Sequence, residues 1–444
     1  MTPELLQRLS APVPRYTSYP TANHFSDRVQ AKDYTGWLTQ LPEASVLSLY
    51  LHFPFCRELC WYCACNTRAV RRYAPIAAYL DSLEDEMARV AAQLMAKDVA
   101  HIHWGGGSPD ALTAADIRRA GHSVRRLFRI RNDAEIAVEI DPRLLEANQV
   151  AAFAAIGVNR ISLGVQDFAP EVQAAIGRQQ SFEVTRDAVE AFRRHGVASV
   201  NVDLVYGLPY QTLASATQTI ERVIELSPDR VAVFGYAHLP QRMKHQRLID
   251  SATLPGPQLR LELSRKIGSL LEVAGYRPVG IDHFAKPGDA LAGPHLARNF
   301  QGYTTDRADA LIGFGASAIS QLPQGYAQNA TGTNEYQRRL RDGGLATARG
   351  IGLSNDDRVR AYVIERLMCD FTFNREEIKA RFGSAAETVV AAAERVCAGD
   401  RHALVEPTAG GFRIVDSGRQ LVRTICAEFD SYLGTSEARH AQAV

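Results

Sequence analysis

Four cysteines fall within ten residues, Cys56, Cys60, Cys63 and Cys65, in the spacing C-x3-C-x2-C-x-C directly after an apolar, strand-like run. Thiolates are soft ligands, so three of them on one short loop suit an iron–sulfur cluster, zinc or Cu(I). A structural zinc site normally draws a second ligand pair from a distant segment, and a [4Fe–4S] cluster held by protein alone takes four cysteines. Three thiolates at x3 and x2 spacing meet neither pattern in full. They suit a [4Fe–4S] cluster whose fourth iron stays open to a non-protein ligand, against the plainer alternative of a zinc knuckle or unconnected thiols. The remaining three of the seven cysteines, Cys369, Cys397 and Cys426, lie far apart in apolar helical patterns and read as buried thiols.

Elements must bring such a loop to a site. β-rich runs are expected at 46–52, 101–104, 135–140, 160–165, 200–205 and 230–235, and amphipathic helices at 74–94, 114–128, 144–156, 182–195, 214–226 and 257–274. Six β-then-α units imply a parallel sheet built by right-handed crossovers, in an open or partial barrel whose chemistry gathers at the C-terminal strand ends. Those ends carry the cysteine loop, Gly105-Gly106-Gly107-Ser108-Pro109, Glu139 and Asp141, Gln166 and Asp167, Asp203, and Tyr236-Ala237-His238. Six polar edges in register argue for one shared site. The triple glycine permits close backbone approach to a ligand, although a bland tight turn is its commoner meaning. The string Gly313-Phe314-Gly315-Ala316-Ser317-Ala318 lacks the strand, helix and acidic partner of a dinucleotide fold, so NAD binding there is rejected.

Composition narrows the classes. Lys+Arg 50 against Asp+Glu 49 gives no general pull toward nucleic acid or membrane. With neither a signal peptide nor an apolar run of the ~18 residues a membrane span needs, a cytoplasmic protein is expected. After residue 353 the pattern gives helices at 354–368, 375–382 and 387–396, a hairpin of 403–406 with 411–415, and a helix at 420–433. That order resembles a winged helix, but 12 basic against 14 acidic residues and no basic stripe read as a lid or brace, not a DNA-binding module. Residues 1–29 carry Pro12, Pro14 and Pro20 among Arg15, Tyr16 and Tyr19 without helical or strand period. The expected organisation is an arm over the active site (1–29), a catalytic domain (30–350) and a helical, winged-helix-like domain (351–444).

Longer stretches make a resemblance specific. They are Pro14-Arg15-Tyr16-Thr17-Ser18-Tyr19-Pro20-Thr21-Ala22, His52-Phe53-Pro54-Phe55-Cys56, His103-Trp104-Gly105-Gly106-Gly107, Gly164-Val165-Gln166-Asp167-Phe168, Asp203-Leu204-Val205-Tyr206-Gly207-Leu208-Pro209, Tyr236-Ala237-His238-Leu239-Pro240, Asp282-His283-Phe284-Ala285 and Arg298-Asn299-Phe300-Gln301-Gly302-Tyr303-Thr304-Thr305. Over nearly its whole length the chain resembles the oxygen-independent coproporphyrinogen III oxidases, radical S-adenosylmethionine (SAM) enzymes of haem biosynthesis. It departs from the family pattern at Ser108, usually Thr, and at Gly235, where a polar residue is expected. The resemblance implies a partial (β/α)6 radical SAM barrel with a smaller, mainly helical C-terminal domain.

It also implies roles, position by position. Cys56, Cys60 and Cys63 match the ligands of a [4Fe–4S] cluster. Tyr50, Gly106, Glu139 and Ile319 match contacts to the SAM bound on it. Tyr62, Gly107, Ser108, Gln166, Arg178, Asp203 and Ala237 match contacts to a second SAM, with Phe300 and Gln301 bordering the same pocket. In these roles Arg178 would pair a SAM carboxylate through two N–H groups, and Asp203 and Glu139 would accept from ribose hydroxyls or an ammonium. Cys65, together with the Arg-Tyr-Thr-Ser-Tyr-Pro arm, separates the oxidases from haem-chaperone paralogues. The implied reaction starts from SAM cleavage to methionine and a 5′-deoxyadenosyl radical, which takes a β-hydrogen from a propionate of coproporphyrinogen III. Loss of CO2 and one electron leaves a vinyl group, and two rounds give protoporphyrinogen IX. Arg15, Arg298 and His238 are the expected carboxylate anchors. Implied partners are an electron donor such as flavodoxin or ferredoxin and a terminal acceptor of unspecified class, with no nucleic acid or membrane, and the chain is expected to be a monomer. The alternatives are a haem-binding chaperone and a radical SAM methyltransferase acting on another tetrapyrrole.

Overall fold

The computed structural model describes residues 12–434, and the chain divides into two compact units. One contains Ser26–Leu254 with Asp306–Gly352; the other contains the described part of Met1–Phe25 with Pro255–Thr305 and Leu353–Val444.

The first unit carries the expected parallel sheet. Strands β1 (Val46–Phe53), β2 (Asp98–Gly106), β3 (Arg129–Ile140), β4 (Arg160–Gln166), β5 (Ser199–Tyr206) and β6 (Arg230–Gly235) pair in sequence order, each parallel to the last. The crossovers contain α1 (Ala74–Gln93), α2 (Ala114–Leu127), α3 (Ala147–Ala155), α4 (Phe182–Arg194) and α5 (Leu213–Leu226). Local sequence explains them. In α4 the Ser181 hydroxyl accepts from Val184 N and so caps the helix, while Phe182, Thr185, Ala188, Val189 and Phe192 form the buried stripe. On β1 the residues Leu47, Leu49 and Leu51 bury against Tyr79, Leu80, Leu83 and Met87 of α1 in one apolar cluster. Strand alternation sends Ser48, Tyr50 and His52 to the opposite face.

That inner face is polar. At its floor Glu135 meets Arg160 at 2.9 Å, Arg230 at 3.6 Å and His101 at 3.9 Å. Burial alone would raise the Glu135 carboxyl, but the arginines and His101 hold it down at about 2. The sheet continues past β1 in a way the pattern did not foretell. β7 (Ala310–Phe314) pairs parallel with β1, and β8 (Ile319–Leu322), β9 (Gly325–Asn329) and β10 (Thr347–Gly352) follow antiparallel, with α6 (Thr333–Arg341) before β10. The glycine string 313–318 thus joins two antiparallel strands, unlike the strand-to-helix turn that holds a dinucleotide.

In the second unit, helices Pro257–Val273, Asn355–Asp370, Arg375–Phe382 and Glu387–Gly399 stand as expected, and Val405–Thr408 pairs with Gly411–Ile414. The helix expected at 420–433 is instead broken into Asp416–Leu421, Val422–Cys426 and Ala427–Phe429, of which only the middle piece is α. All five residues Val422–Cys426 are buried, and Arg423 donates to Pro14 O at 2.9 Å and Val13 O at 2.5 Å, so tertiary packing overrides the helical period. The arm is anchored within this unit: Tyr16 and Tyr19 are buried, Tyr16 donates to Asp430 Oδ2 at 3.1 Å, and Tyr19 Oη lies 2.9 Å from Ser431 Oγ. Residues 1–11 of the expected arm lie outside the described residues. No described helix is long and apolar enough to cross a membrane.

Candidate active site

The cysteine loop leaves β1 through Pro54 and is pinned by its own backbone. Val70 N donates to Cys56 O at 3.0 Å, Arg68 N to Pro54 O at 3.1 Å, and Trp61 N to Ile176 O at 2.9 Å. Hydrogen-bonding groups surround the three thiols. Thr67 Oγ1 lies 3.1 Å from Cys56 Sγ; Arg178 Nη1 and Arg143 Nη2 lie 3.4 and 3.5 Å from Cys60 Sγ; Cys65 N donates to Cys63 Sγ at 3.4 Å. Donors aimed at sulfur stabilise thiolate charge, and in iron–sulfur proteins they tune the potential. Burial pushes the Cys56 thiol up to about 12. The hydrogen bond from the Cys65 side chain is the largest influence on Cys63 and, against burial and with the Cys65 amide, brings its thiol down to about 7. Among the described residues no three His, Cys, Asp or Glu side chains converge on a single ion. A cluster of several irons takes thiolates spread further apart, and the donor set of three cysteines with N–H and O–H groups behind them fits it.

Beside the loop, β2 and β3 supply the next layer. Glu139 Oε1 accepts from His103 Nε2 at 2.9 Å and Oε2 from Gly106 N at 3.1 Å. Burial works against its charge, but His103 and the Gly106 amide hold the carboxyl below its usual range. The triple glycine is filled from within: a Cβ on Gly105 would lie 2.7 Å from Glu139 Oε1, one on Gly106 2.4 Å from the His52 ring, and one on Gly107 2.4 Å from Phe55 O. Gly107 N and Ser108 N donate to Phe53 O and Phe55 O, each at 2.8 Å. The glycines therefore let Glu139, His52 and the cysteine loop close on one another, and these N–H groups are already spent. His52 Nε2 must donate to Asn66 O at 3.0 Å, since a carbonyl only accepts, which leaves Nδ1 to accept from Tyr50 Oη at 3.0 Å. The Tyr50 ring stacks on His103 with 5.9 Å between centroids.

The other expected residues sort clearly. Arg178 is buried and places its fork on Asp141, with both contacts at 3.2 Å, and on Gly164 O at 2.6 Å. Gln166 is buried at a positive φ of 70°, where β4 bulges. Asp203 accepts from Ser162 Oγ and Asn201 Nδ2, both at 2.8 Å. The Ser108 hydroxyl donates to Asp110 and accepts from Asp141 N. Ala237 O and Tyr62 O both accept from Gln246. His238 lies between Tyr236 Oη at 2.9 Å and Ser251 Oγ at 3.0 Å. Ile319 begins β8, its carbonyl against Gly313.

Asp167 is the exception among the strand-end residues. It is fully buried and accepts from Gln211, Thr219 and Ala169 N, so it caps the chain behind the strand. Arg15, Arg298, Phe300 and Gln301 belong to the second unit. There Arg298 Nη2 donates to Arg15 O at 3.3 Å, and the guanidinium stands 4.4 Å over the Tyr303 ring, in the electrostatic reach of Asp282. Gln301 N donates to Asn299 Oδ1 at 2.9 Å in a hairpin.

Residue pattern placed Asp141 at a strand end but missed several members of the site: His52, His103, Thr67 and Arg143. The two histidines were legible in principle, as they alternate with core residues near the ends of adjacent strands.

Comparison with known proteins agrees with this geometry. Residues 50–223 match the radical SAM superfamily. The oxygen-independent coproporphyrinogen III oxidase of Bradyrhizobium diazoefficiens is 46% identical over 437 residues, covering 97% of this chain and 97% of the relative. That of Pseudomonas aeruginosa is 42% identical, covering 97% of this chain and 95% of the relative. The structure of coproporphyrinogen III oxidase from Escherichia coli, described as a radical SAM enzyme, is 40% identical and superposes with a TM-score of 0.90, covering 94% of this chain and 98% of that one.

Proposed function

The chain belongs to the oxygen-independent coproporphyrinogen III oxidase family of radical SAM enzymes, and from that membership we propose that it decarboxylates two propionate side chains of coproporphyrinogen III to vinyl groups, giving protoporphyrinogen IX. The observation that carries this reading is the loop of three thiols backed by N–H and O–H donors at the C-terminal mouth of the parallel strands. When bound, the [4Fe–4S] cluster and SAM supply a one-electron reductive cleavage that yields a 5′-deoxyadenosyl radical. The protein holds and orients. Cys56, Cys60 and Cys63 are the cluster ligands, with Arg143 and Arg178 screening the Cys60 sulfur. Glu139, fixed by His103, is the acceptor for SAM's polar end, with Tyr50, Gly106 and Ile319 beside it. Arg178 keeps a buried, unpartnered Nε, which leaves it a donor for a carboxylate. With Tyr62, Gly107, Ser108, Gln166, Asp203 and Ala237 it is assigned to a second SAM, and Phe300 and Gln301 keep the roles that family membership gives them.

Arg298 has two buried guanidinium nitrogens, Nε and Nη1, without a partner. Such donors call for an anion, and a substrate carboxylate supplies one, with Arg15 beside it and His238 as a further anchor. Cys65, exposed two residues beyond the last ligand, acts in product formation rather than in holding iron. Seven free cysteines suit a reducing, cytoplasmic setting, and an external one-electron protein of the flavodoxin or ferredoxin kind is the donor to a monomer. Anaerobically reconstituted protein, given reductant, SAM and coproporphyrinogen III, is expected to give a product lighter by CO2 and two hydrogens at each of two side chains. Release of 5′-deoxyadenosine with an unchanged porphyrinogen mass would overturn the proposal.

A further inference from the structure

The segment after β6 makes a second attachment to the cysteine loop. The chain passes Tyr236-Ala237-His238 and forms a short 3-10 helix, Lys244–Leu248. From it two adjacent side chains reach two adjacent carbonyls of the loop: Gln246 Nε2 donates to Tyr62 O at 2.9 Å, and His245 Nε2 lies 2.6 Å from Cys63 O. A carbonyl only accepts, so His245 carries its proton on Nε2. Gln246 is fully buried and does more than hold the loop: the same Nε2 donates to Ala237 O at 3.2 Å, and its Oε1 accepts from Leu239 N at 2.5 Å. One amide therefore spans the end of β6 and the peptide that carries Cys63.

We propose that Gln246 and His245 are positioning residues that latch the cysteine loop to the end of β6, so that the direction of the Cys63 sulfur and the placing of Ala237 and His238 are set together. The proposal rests on the reading of Cys56, Cys60 and Cys63 as cluster ligands. Its physical basis is satisfaction of buried polar groups. Removing the Gln246 amide leaves the carbonyls of Tyr62 and Ala237 and the N–H of Leu239 short of a partner in a desolvated place, so the loop and the strand end must each shift to find new ones. A loop shifted in this way still carries three thiols. What changes is the aim of the cluster relative to the strand end where His238 stands, and a small misplacement near the reacting atoms costs rate out of proportion to its size.

Gln246→Glu keeps the volume and the acceptor but loses the Nε2 donor; His245→Ala removes the second tie, and His245→Gln retains an N–H donor on a side chain of similar reach. Anaerobically reconstituted variants are measured for iron content and cluster absorption, for the EPR spectrum and reduction potential of the cluster with SAM, and for 5′-deoxyadenosine released per vinyl group formed. Iron content and absorption of Cys56→Ala, Cys60→Ala and Cys63→Ala, measured alongside, test the ligand reading separately from the latch. The expected result is wild-type iron in all three variants. In Gln246→Glu and His245→Ala the cluster signal and potential move and deoxyadenosine per vinyl rises about tenfold, a change equivalent to about 1.4 kcal/mol, while His245→Gln returns toward wild type. Variants with lowered thermal stability but an unmoved EPR signal, potential and product ratio would overturn the proposal, as would equal defects in His245→Gln and His245→Ala.

Discussion

Glu86 on α1 is held by three neutral donors: Gly315 N at 2.7 Å, Asn329 Nδ2 at 2.6 Å and Tyr336 Oη at 2.7 Å. Burial raises its carboxyl from 4.5 to about 7 against those hydrogen bonds. A carboxyl that keeps its proton more tightly when folded contributes stability that is complete below its unfolded pKa and fades as pH rises through the folded value. Stability is therefore expected to fall between about pH 4.5 and 7 by up to about 3 kcal/mol from this group, at 1.36 kcal/mol per pKa unit. Glu86→Gln should flatten that slope in denaturant titrations at pH 5 and pH 7.5; an unchanged slope would show that Glu86 does not titrate in the window. The cysteines give a second test. Cys56→Ala, Cys60→Ala and Cys63→Ala should each lose the cluster and SAM cleavage, whereas Cys65→Ala should retain iron and absorption and lose product formation. Iron content decides it: a Cys65 variant as empty as the Cys56 variant would refute the ligand set.

The end of β2 turns a sequence motif into geometry. Because a Cβ at Gly105 would enter the Glu139 carboxylate at 2.7 Å, Gly105→Ala must displace Glu139 from His103. We expect SAM binding to weaken by roughly tenfold or more, with the cluster retained, as equilibrium binding to the reconstituted protein would report. Unaltered SAM affinity would place Glu139 outside the site. This motif also marks how far residue pattern reaches. The six parallel strands and the cysteine loop were legible because apolar runs of β-branched residues alternate with helices that carry their own caps, as in 182–195 with Ser181. β7 to β10 were not, since Gly313, Gly315, Gly325 and Gly350 break the apolar period and their pairing is with distant segments. Asn329 had no sequence signal either: it is buried and bonded to Glu86 and Gly315 O. Arg143 and Arg178 read alone as solvated charge, and only folding brings both onto the Cys60 sulfur, with Asp141 bridging them.

The molecule as a whole combines a strand barrel that bears the thiols with a second unit that holds the arm and Arg298. Within that unit the arm is fixed by its buried tyrosines and by the Arg423 contacts to its carbonyls. Deleting residues 1–29 is expected to leave the cluster and some uncoupled SAM cleavage while decarboxylation falls at least tenfold, through loss of Arg15 as a carboxylate anchor. Normal coproporphyrinogen turnover by the truncated protein would remove the arm from the account. The central claim is that a radical made from SAM takes a hydrogen from the propionate β-carbon. Coproporphyrinogen III deuterated at that carbon, turned over under anaerobic conditions, should deliver deuterium to 5′-deoxyadenosine as vinyl groups form. Vinyl product accompanied by unlabelled 5′-deoxyadenosine, or a methylated tetrapyrrole in its place, would contradict it.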